Sequence, residues 1–242
     1  MSRYKPIIVL TFDDGTIIQY ILIKLIRIFF KLPATIFIIT GLLYDPHTGE
    51  LLLSSYISKL RELFKLGIEI ASHTHTHKDL TVLKLNEIKN ELIKSKLYIT
   101  KILGVPPIGF AYPYGHYDYF TQKIVIKYYR YARIYDFKIN INTQFNQYAI
   151  SSIGVEARKT VIRIIYWLLK SKHKIVYNIY NKRKIMIVLV FHSPKSIIDV
   201  FFMIIVSFII CWLKNTDYVD VLTLKDAIKL FTDNNDKDKI LK

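Results

Sequence analysis

The chain has 242 residues, with 35 Lys and Arg against 19 Asp and Glu, and 52% of it is hydrophobic. That apolar content can bury a full core, which excludes bulk disorder; eight Gly and seven Pro exclude fibrous and low-complexity architectures. The lone Cys211 excludes an intramolecular disulfide and a cysteine-based zinc site, while the +16 charge suits either an anionic partner or a solvated lysine-rich surface.

Residues 7–10 (IIVL) form the first predicted strand. The residues before them hold no apolar run long enough for a secretory signal, so a cytoplasmic chain is the expectation. Residues 17–32 predict a helix, with Lys24, Arg27 and Lys31 on one face and apolar residues on the other. Residues 34–39 predict a strand. Leu53, Tyr56, Ile57, Leu60, Leu63 and Phe64 then recur at helical spacing, and Gly67 ends that helix. A strand at 68–71 precedes a helix marked by Leu85, Ile88, Leu92, Ile99 and Ile102, closed by Gly104 and Pro106. Further strands are predicted at 109–112, 131–134, 150–155, 185–191 and 218–222, and a terminal helix opens at Thr223.

Residues 200–213 hold fourteen positions without a charge. A bilayer-spanning helix needs ~20, so a buried core helix is expected there, with membrane attachment as the less favoured reading. Residues 233–242 are expected to fray. Short apolar strands alternate with helices about seven times, and no linker or repeat interrupts them. The pattern predicts one domain over 1–242, its core at about 7–230, built on a parallel sheet covered on both faces as in an α/β barrel.

In such a barrel, chemistry sits where strands end. Four strand ends carry unusual polar groups. Asp13 and Asp14 follow the first strand directly, and two carboxylates there are costly unless paired or metal-bound. Gly15 lets the backbone turn so that both can reach one pocket, although a plain solvated turn would have the same sequence. His73 and His77 lie four apart after the third strand, a spacing that suits a divalent metal pair, with His75 pointing elsewhere, although an adventitious metal patch would have the same sequence. Tyr112-Pro113-Tyr114-Gly115 predicts a tight turn whose Tyr114 N–H can serve an oxyanion. His192 ends the strand 185–191 as a core histidine or a proton donor. Together these residues make a kit for metal-assisted amide hydrolysis. Asp14, His73 and His77 would bind the metal, Asp13 would act as base, and His192 would protonate the leaving nitrogen.

The segments TFDDG (11–15), SHTHTHKDL (72–80), FAYPYG (110–115) and VLVFH (188–192) resemble the polysaccharide deacetylases, the NodB-homology family or carbohydrate esterase family 4. The resemblance implies a distorted (β/α)7 TIM-like barrel that removes N-acetyl groups from amino sugars. It implies one divalent metal, zinc first, with cobalt, nickel or manganese as alternatives. By motif, Asp13 is the base, Asp14, His73 and His77 are the metal ligands, His192 is the acid, and the Tyr114 backbone is the oxyanion donor. Tyr112, Pro113 and Val190 are expected at the substrate pocket, Val190 standing where the family usually has Leu. Many members carry an Arg in the third motif that orients the catalytic aspartate; this chain has Ala111. No Asp-x-Trp fourth motif is visible, and Arg130, Arg133 and Asp136 are the candidates to stand in. The expected partner is a carbohydrate containing N-acetylated amino sugar. The competing readings are a deformylase or cyclic-amide hydrolase, and a glycan- or nucleic-acid-binding module on an inactive barrel. The basic clusters at 123–133 and 170–184 fit solvated faces, so specific nucleic-acid binding is not expected.

Overall fold

Runs of β-branched and aromatic residues pair into a single sheet of nine strands in the computed structural model, which describes residues 5–156, 158–170 and 184–232. The expected frayed tail at 233–242 and most of the basic stretch 170–184 lie outside the described residues. In chain order the elements are β1 (Ile7–Phe12), α1 (Ile17–Phe29), β2 (Thr35–Ile38), α2 (Ile57–Lys65), β3 (Glu69–Ser72) and α3 (Leu85–Leu103). β4 (Gly109–Ala111), α4 (Tyr119–Val125), β5 (Tyr131–Arg133), β6 (Asn140–Ile141) and β7 (Ile153–Gly154) follow. α5 (Arg158–Lys170), β8 (Ile185–Phe191), α6 (Ile197–Asn215), β9 (Asp220–Leu222) and α7 (Leu224–Thr232) complete the chain.

Strands β5-β4-β3-β2-β1-β8 are neighbours in that order, and every pair among them is parallel. β7 pairs β8 in parallel, and a parallel bridge between Arg133 and Ile150 ties the segment entering β7 to β5. The ring therefore closes through β7 as the distorted (β/α)7 barrel. The all-parallel expectation needs one correction: β6 runs antiparallel to β8. Asn140 anchors it there through its side chain, donating to Ser151 O at 2.9 Å and Met186 O at 3.2 Å. A two-residue strand has no periodicity to read in the sequence. α5 also lay outside the expected elements, although Val161, Ile164, Ile165 and Leu168 recur there at helical spacing.

Strand alternation sorts the core into two sets. Ile7, Val9, Phe37, Ala71, Ala111, Tyr131, Met186 and Val188 share the barrel interior with Leu224, Ala227, Ile228 and Phe231 of α7, which plugs one end. Ile8, Leu10, Phe12, Ile36, Ile38, Ile70, Ile187 and Leu189 face outward onto the helices. At the plugged end, buried Glu69 accepts from Tyr131 Oη (2.8 Å), Thr35 Oγ1 (2.9 Å) and the Lys225 N–H (3.0 Å) at the start of α7. A carboxylate at a helix N-terminus satisfies free N–H groups.

The core-helix expectation for 200–213 is corrected. Met203, Val206, Ser207, Ile210 and Leu213 of α6 are buried, but Phe201, Ile205, Phe208 and Trp212 face outward. A helix on the outside of a barrel can bury only one stripe.

Candidate active site

The first cluster forms where β1 ends. The interior positions of β1 alternate as Ile7, Val9 and Thr11, and the same period aims Asp13 inward. Asp14 and Gly15 both take positive φ, at 78° and 79°, so the chain turns and Asp14 points back over the barrel. A Cβ on Gly15 would lie 2.7 Å from Ile38 Cγ2, so any side chain there is strained. Gln19 of α1 secures it: its Oε1 accepts from Gly15 N at 3.0 Å and Thr16 N at 3.2 Å, and its Nε2 donates to Phe191 O at 3.1 Å. Thr16 and Gln19 form the capping box of that helix.

The second cluster follows β3. Residues 73–77 form a loop. Thr74 (φ 66°) and His77 (φ 58°) adopt the left-handed region, which brings both imidazoles to one side. Thr74 Oγ1 accepts from His77 N at 2.9 Å. Glu91 of α3 receives His75 N (2.9 Å), Thr76 N (2.7 Å) and Thr76 Oγ1 (2.6 Å), so the loop hangs from one buried carboxylate. His75 turns away as expected, its Nδ1 3.1 Å from Thr40 Oγ1.

The clusters meet. His73 Nε2 and His77 Nε2 are 3.1 Å apart, and each is 3.7 Å from Asp14 Oδ1. Ligand atoms held about 2.0–2.2 Å from one tetrahedral ion stand roughly 3.3–3.6 Å apart, so this spacing fits a divalent cation. His73 Nδ1 lies 2.9 Å from Ala111 O, which puts the ring proton there and leaves Nε2 as a lone pair facing the cluster. Burial holds His73 down at about 4 and His77 at about 3, so both rings are neutral near neutral pH, the form that could hold a cation. Burial, then the charge of Asp13, pushes Asp14 up to about 7. A carboxyl so placed is short of a positive neighbour, which a bound cation would supply.

Asp13 has a neighbour of its own. Arg133, fully buried at the end of β5, donates from Nη2 to Asp13 Oδ2. Burial alone would raise the Asp13 carboxyl, but Arg133, His73 and His192 outweigh it and hold the group below the usual range. Asp13 Oδ1 is buried without a partner. Arg133 pairs in register with Ala111, the position where the resemblance implies an arginine. The guanidinium thus enters the barrel from the next strand, over a side chain small enough to admit it. Of the other stand-ins, Arg130 is exposed, and Asp136 accepts from Ser151 Oγ at 3.0 Å.

His192 closes the far wall, its Nε2 3.8 Å from Asp13 Oδ2 and its Nδ1 3.2 Å from Glu156 Oε1. Burial disfavours the cation, but the Glu156 hydrogen bond and the charges of Asp13 and Glu156 carry the net shift upward. Tyr135 also donates to Glu156. Tyr114 sits in the 113–115 turn at φ 60°, against the His77 ring at 4.9 Å. The turn's own bonds run from Gly115 N to Tyr112 O and from His116 N to Pro113 O, neither of which uses the Tyr114 N–H.

A cleft of about 290 Å³ opens beside these groups, lined in part by Asp14, Asp45, His47, Glu156, His192 and Ser193. Tyr112, Pro113 and Val190 are outside this lining. Ala111 points inward, so Tyr112 points outward and packs on Phe110 at 5.2 Å. Pro113 is buried at the base of the turn, and Val190 is buried on the interior face of β8, two positions before His192. Glu156, Glu91, Asp45 and His47 escaped the motif reading. Asp45 Oδ1 accepts from His47 N (2.9 Å) and Thr48 N (2.7 Å), which lays the His47 ring against His77 at 5.4 Å. Only the Asp-x-x-Thr turn at 45–48 signals that arrangement locally.

Comparison with known proteins agrees with this geometry. The family model described as polysaccharide deacetylase matches residues 2–131. The chain belongs to the polysaccharide deacetylase family. The poly-beta-1,6-N-acetyl-D-glucosamine N-deacetylase of Staphylococcus aureus (strain MRSA252) is 38% identical over 99 residues, 36% of this chain and 32% of that protein. The bifunctional xylanase/deacetylase of Pseudobutyrivibrio xylanivorans is 30% identical over 115 residues, 47% of this chain and 17% of that protein. The matches thus span a third or less of these curated relatives. The crystal structure of the Xyl-CE4 domain of a multidomain xylanase from the hindgut metagenome of Trinervitermes trinervoides shares the fold. It is 20% identical, with a TM-score of 0.61, covering 93% of this chain and 90% of that one. In this chain the motif residues therefore sit on the expected barrel, and the arginine that pairs with Asp13 comes from β5.

Proposed function

We propose that this polysaccharide deacetylase is a metal-dependent N-deacetylase acting on a glycan or glycoconjugate that contains N-acetylhexosamine. One observation carries the reading. Asp13 has one oxygen clamped by Arg133 and the other buried and unpartnered, beside the converging Asp14, His73 and His77 donors. A divalent cation held by those three residues, zinc being the first expectation, supplies Lewis acidity toward water and the amide carbonyl.

The protein's own groups do the rest. Asp13 Oδ1 accepts the proton of a water as its oxygen attacks the acetamide carbonyl carbon. The Tyr114 N–H donates to the oxygen that gathers negative charge. As the C–N bond breaks, the leaving nitrogen takes its proton from His192, which Glu156 keeps charged and oriented. Acetate and a free amine result. Arg133 keeps Asp13 ionised before the step. His47 and Asp45 on the cleft wall offer polar contacts to sugar hydroxyls.

The test is acetate release from N-acetylglucosamine oligomers, with chelated protein reconstituted with Zn²⁺ or Co²⁺. The expected result is turnover only with metal, lost in Asp13→Asn. Release of formate from formylated amines, with none of acetate from any glycan, would overturn the assignment.

A further inference from the structure

Among the described residues, three neighbouring helices share an exposed apolar face. α6 is apolar around its whole circumference, with a mean hydropathy of 2.4. Its inner stripe packs on the barrel, so the helix cannot cross a bilayer. Its outer stripe runs through Ile197, Phe201, Ile205, Phe208 and Trp212, all on one side by spacing. Ile197 is 71% exposed, and Phe201 and Phe208 are each 59% exposed. Scattered exposed apolar residues are ordinary, but a continuous row of large ones is not.

The face continues onto both neighbours. α1 meets α6 through Phe30 and Phe208 (ring centroids 6.2 Å apart) and through Lys214 Nζ donating to Lys31 O at 3.3 Å. Its outward residues include Ile21, Leu25, Ile28 and Phe29. α5 meets α6 where Arg158 pairs with Asp199 and lies over the Phe202 ring at 5.4 Å. Its outward residues include Lys159, Ile162 and Arg163. The three helices carry seven basic residues and one acidic residue, Asp199; Arg158 pairs with Asp199, and Lys24 pairs with Glu62 of α2 at 2.7 Å. Lys31 and Lys195 stand exposed at the margins.

We infer that this face docks flat on an anionic membrane surface, with α6 lying in the interface. Apolar side chains backed by basic residues, with no free carboxylate among them, match the requirements of an interfacial helix on acidic lipid. A second copy of the chain would bring the same positive field against itself, which disfavours a self-paired face. The docking does not depend on the reaction proposed above. The start of α6 also borders the cleft through Asp199, Phe202 and the preceding Lys195, so a docked molecule would hold its cleft near the bilayer.

Flotation of the full chain with vesicles tests this. Phosphatidylcholine and phosphatidylglycerol in a two-to-one ratio should carry the protein upward, and phosphatidylcholine alone should not. High salt should weaken the binding. The variant Phe201→Ser/Ile205→Ser/Phe208→Ser should keep its circular dichroism and bind on the order of a hundredfold more weakly. Lys159→Glu/Arg163→Glu, at exposed sites that leave the core untouched, should weaken binding roughly tenfold or more; it keeps the test decisive if the triple variant misfolds. Absence of flotation at low salt, or wild-type flotation by a folded triple variant, would overturn the inference. So would a wild-type dimer that ignores vesicles and becomes monomeric in the triple variant, since the face would then belong to a second copy.

Discussion

Replacing Arg133 with Met isolates what the buried ion pair does. The guanidinium is fully buried, and besides Asp13 it bonds Ser152 Oγ at 3.2 Å and Ile134 O at 3.4 Å. Methionine fills much of its volume and meets none of those acceptors. Asp13 would then be a buried carboxylate with His73 and His192 nitrogens no closer than 4.0 and 3.8 Å. Breaking a buried pair by removing one partner costs about 3–5 kcal/mol. For a chain of this size that is a fall in Tm of roughly 6–20 °C. Removing both charges in Asp13→Asn/Arg133→Met should restore much of the loss, because no uncompensated charge remains. The double-mutant cycle from urea unfolding should give a coupling energy on the order of 3 kcal/mol. Single-site effects that add to within about 0.5 kcal/mol would refute the pairing. Retained acetate release by Arg133→Met at its wild-type pH optimum would refute the idea that this residue keeps Asp13 ionised.

Gly15→Ala should cost about 1–3 kcal/mol in urea unfolding and weaken metal binding, because an alanine at φ 79° also meets Ile38 Cγ2 at 2.7 Å. Glu156→Gln removes a partner that raises His192, so the histidine should lose its proton at lower pH. The alkaline limb of the pH–rate profile should move down, and an NMR titration of the ring that matched wild type would count against this. Glu69 is raised by burial despite its three donors. Its native form therefore binds a proton more tightly than the unfolded chain does. The stability it contributes is complete below the usual glutamate range and declines as pH rises through its raised native value. Glu69→Gln should flatten that dependence in urea unfolding from about pH 4 to about pH 8, and an unchanged slope would exclude Glu69 as its source.

The sequence by itself determined the parts whose information is local. Apolar strands of period two, helices of period 3.6 and the turns that end them are set by neighbouring residues. TFDDG and the His73–His77 spacing were likewise legible, because Asp14, His73 and His77 lie at strand ends that a parallel barrel must gather at one end. Tertiary structure decided what depends on register between strands. Ala111 stood out as a missing arginine, and only the tertiary structure shows Arg133, its partner in register, bonded to Asp13. Tyr112 was adjacent to the right residues yet pointed outward, since the parity of a strand is set by what its neighbours bury. Glu91 and Glu156 act across 15 or more residues and across strand–helix boundaries, a distance no local pattern encodes. The same holds for α6. Its composition made it apolar on every side, and its position outside the barrel decided which half stays uncovered.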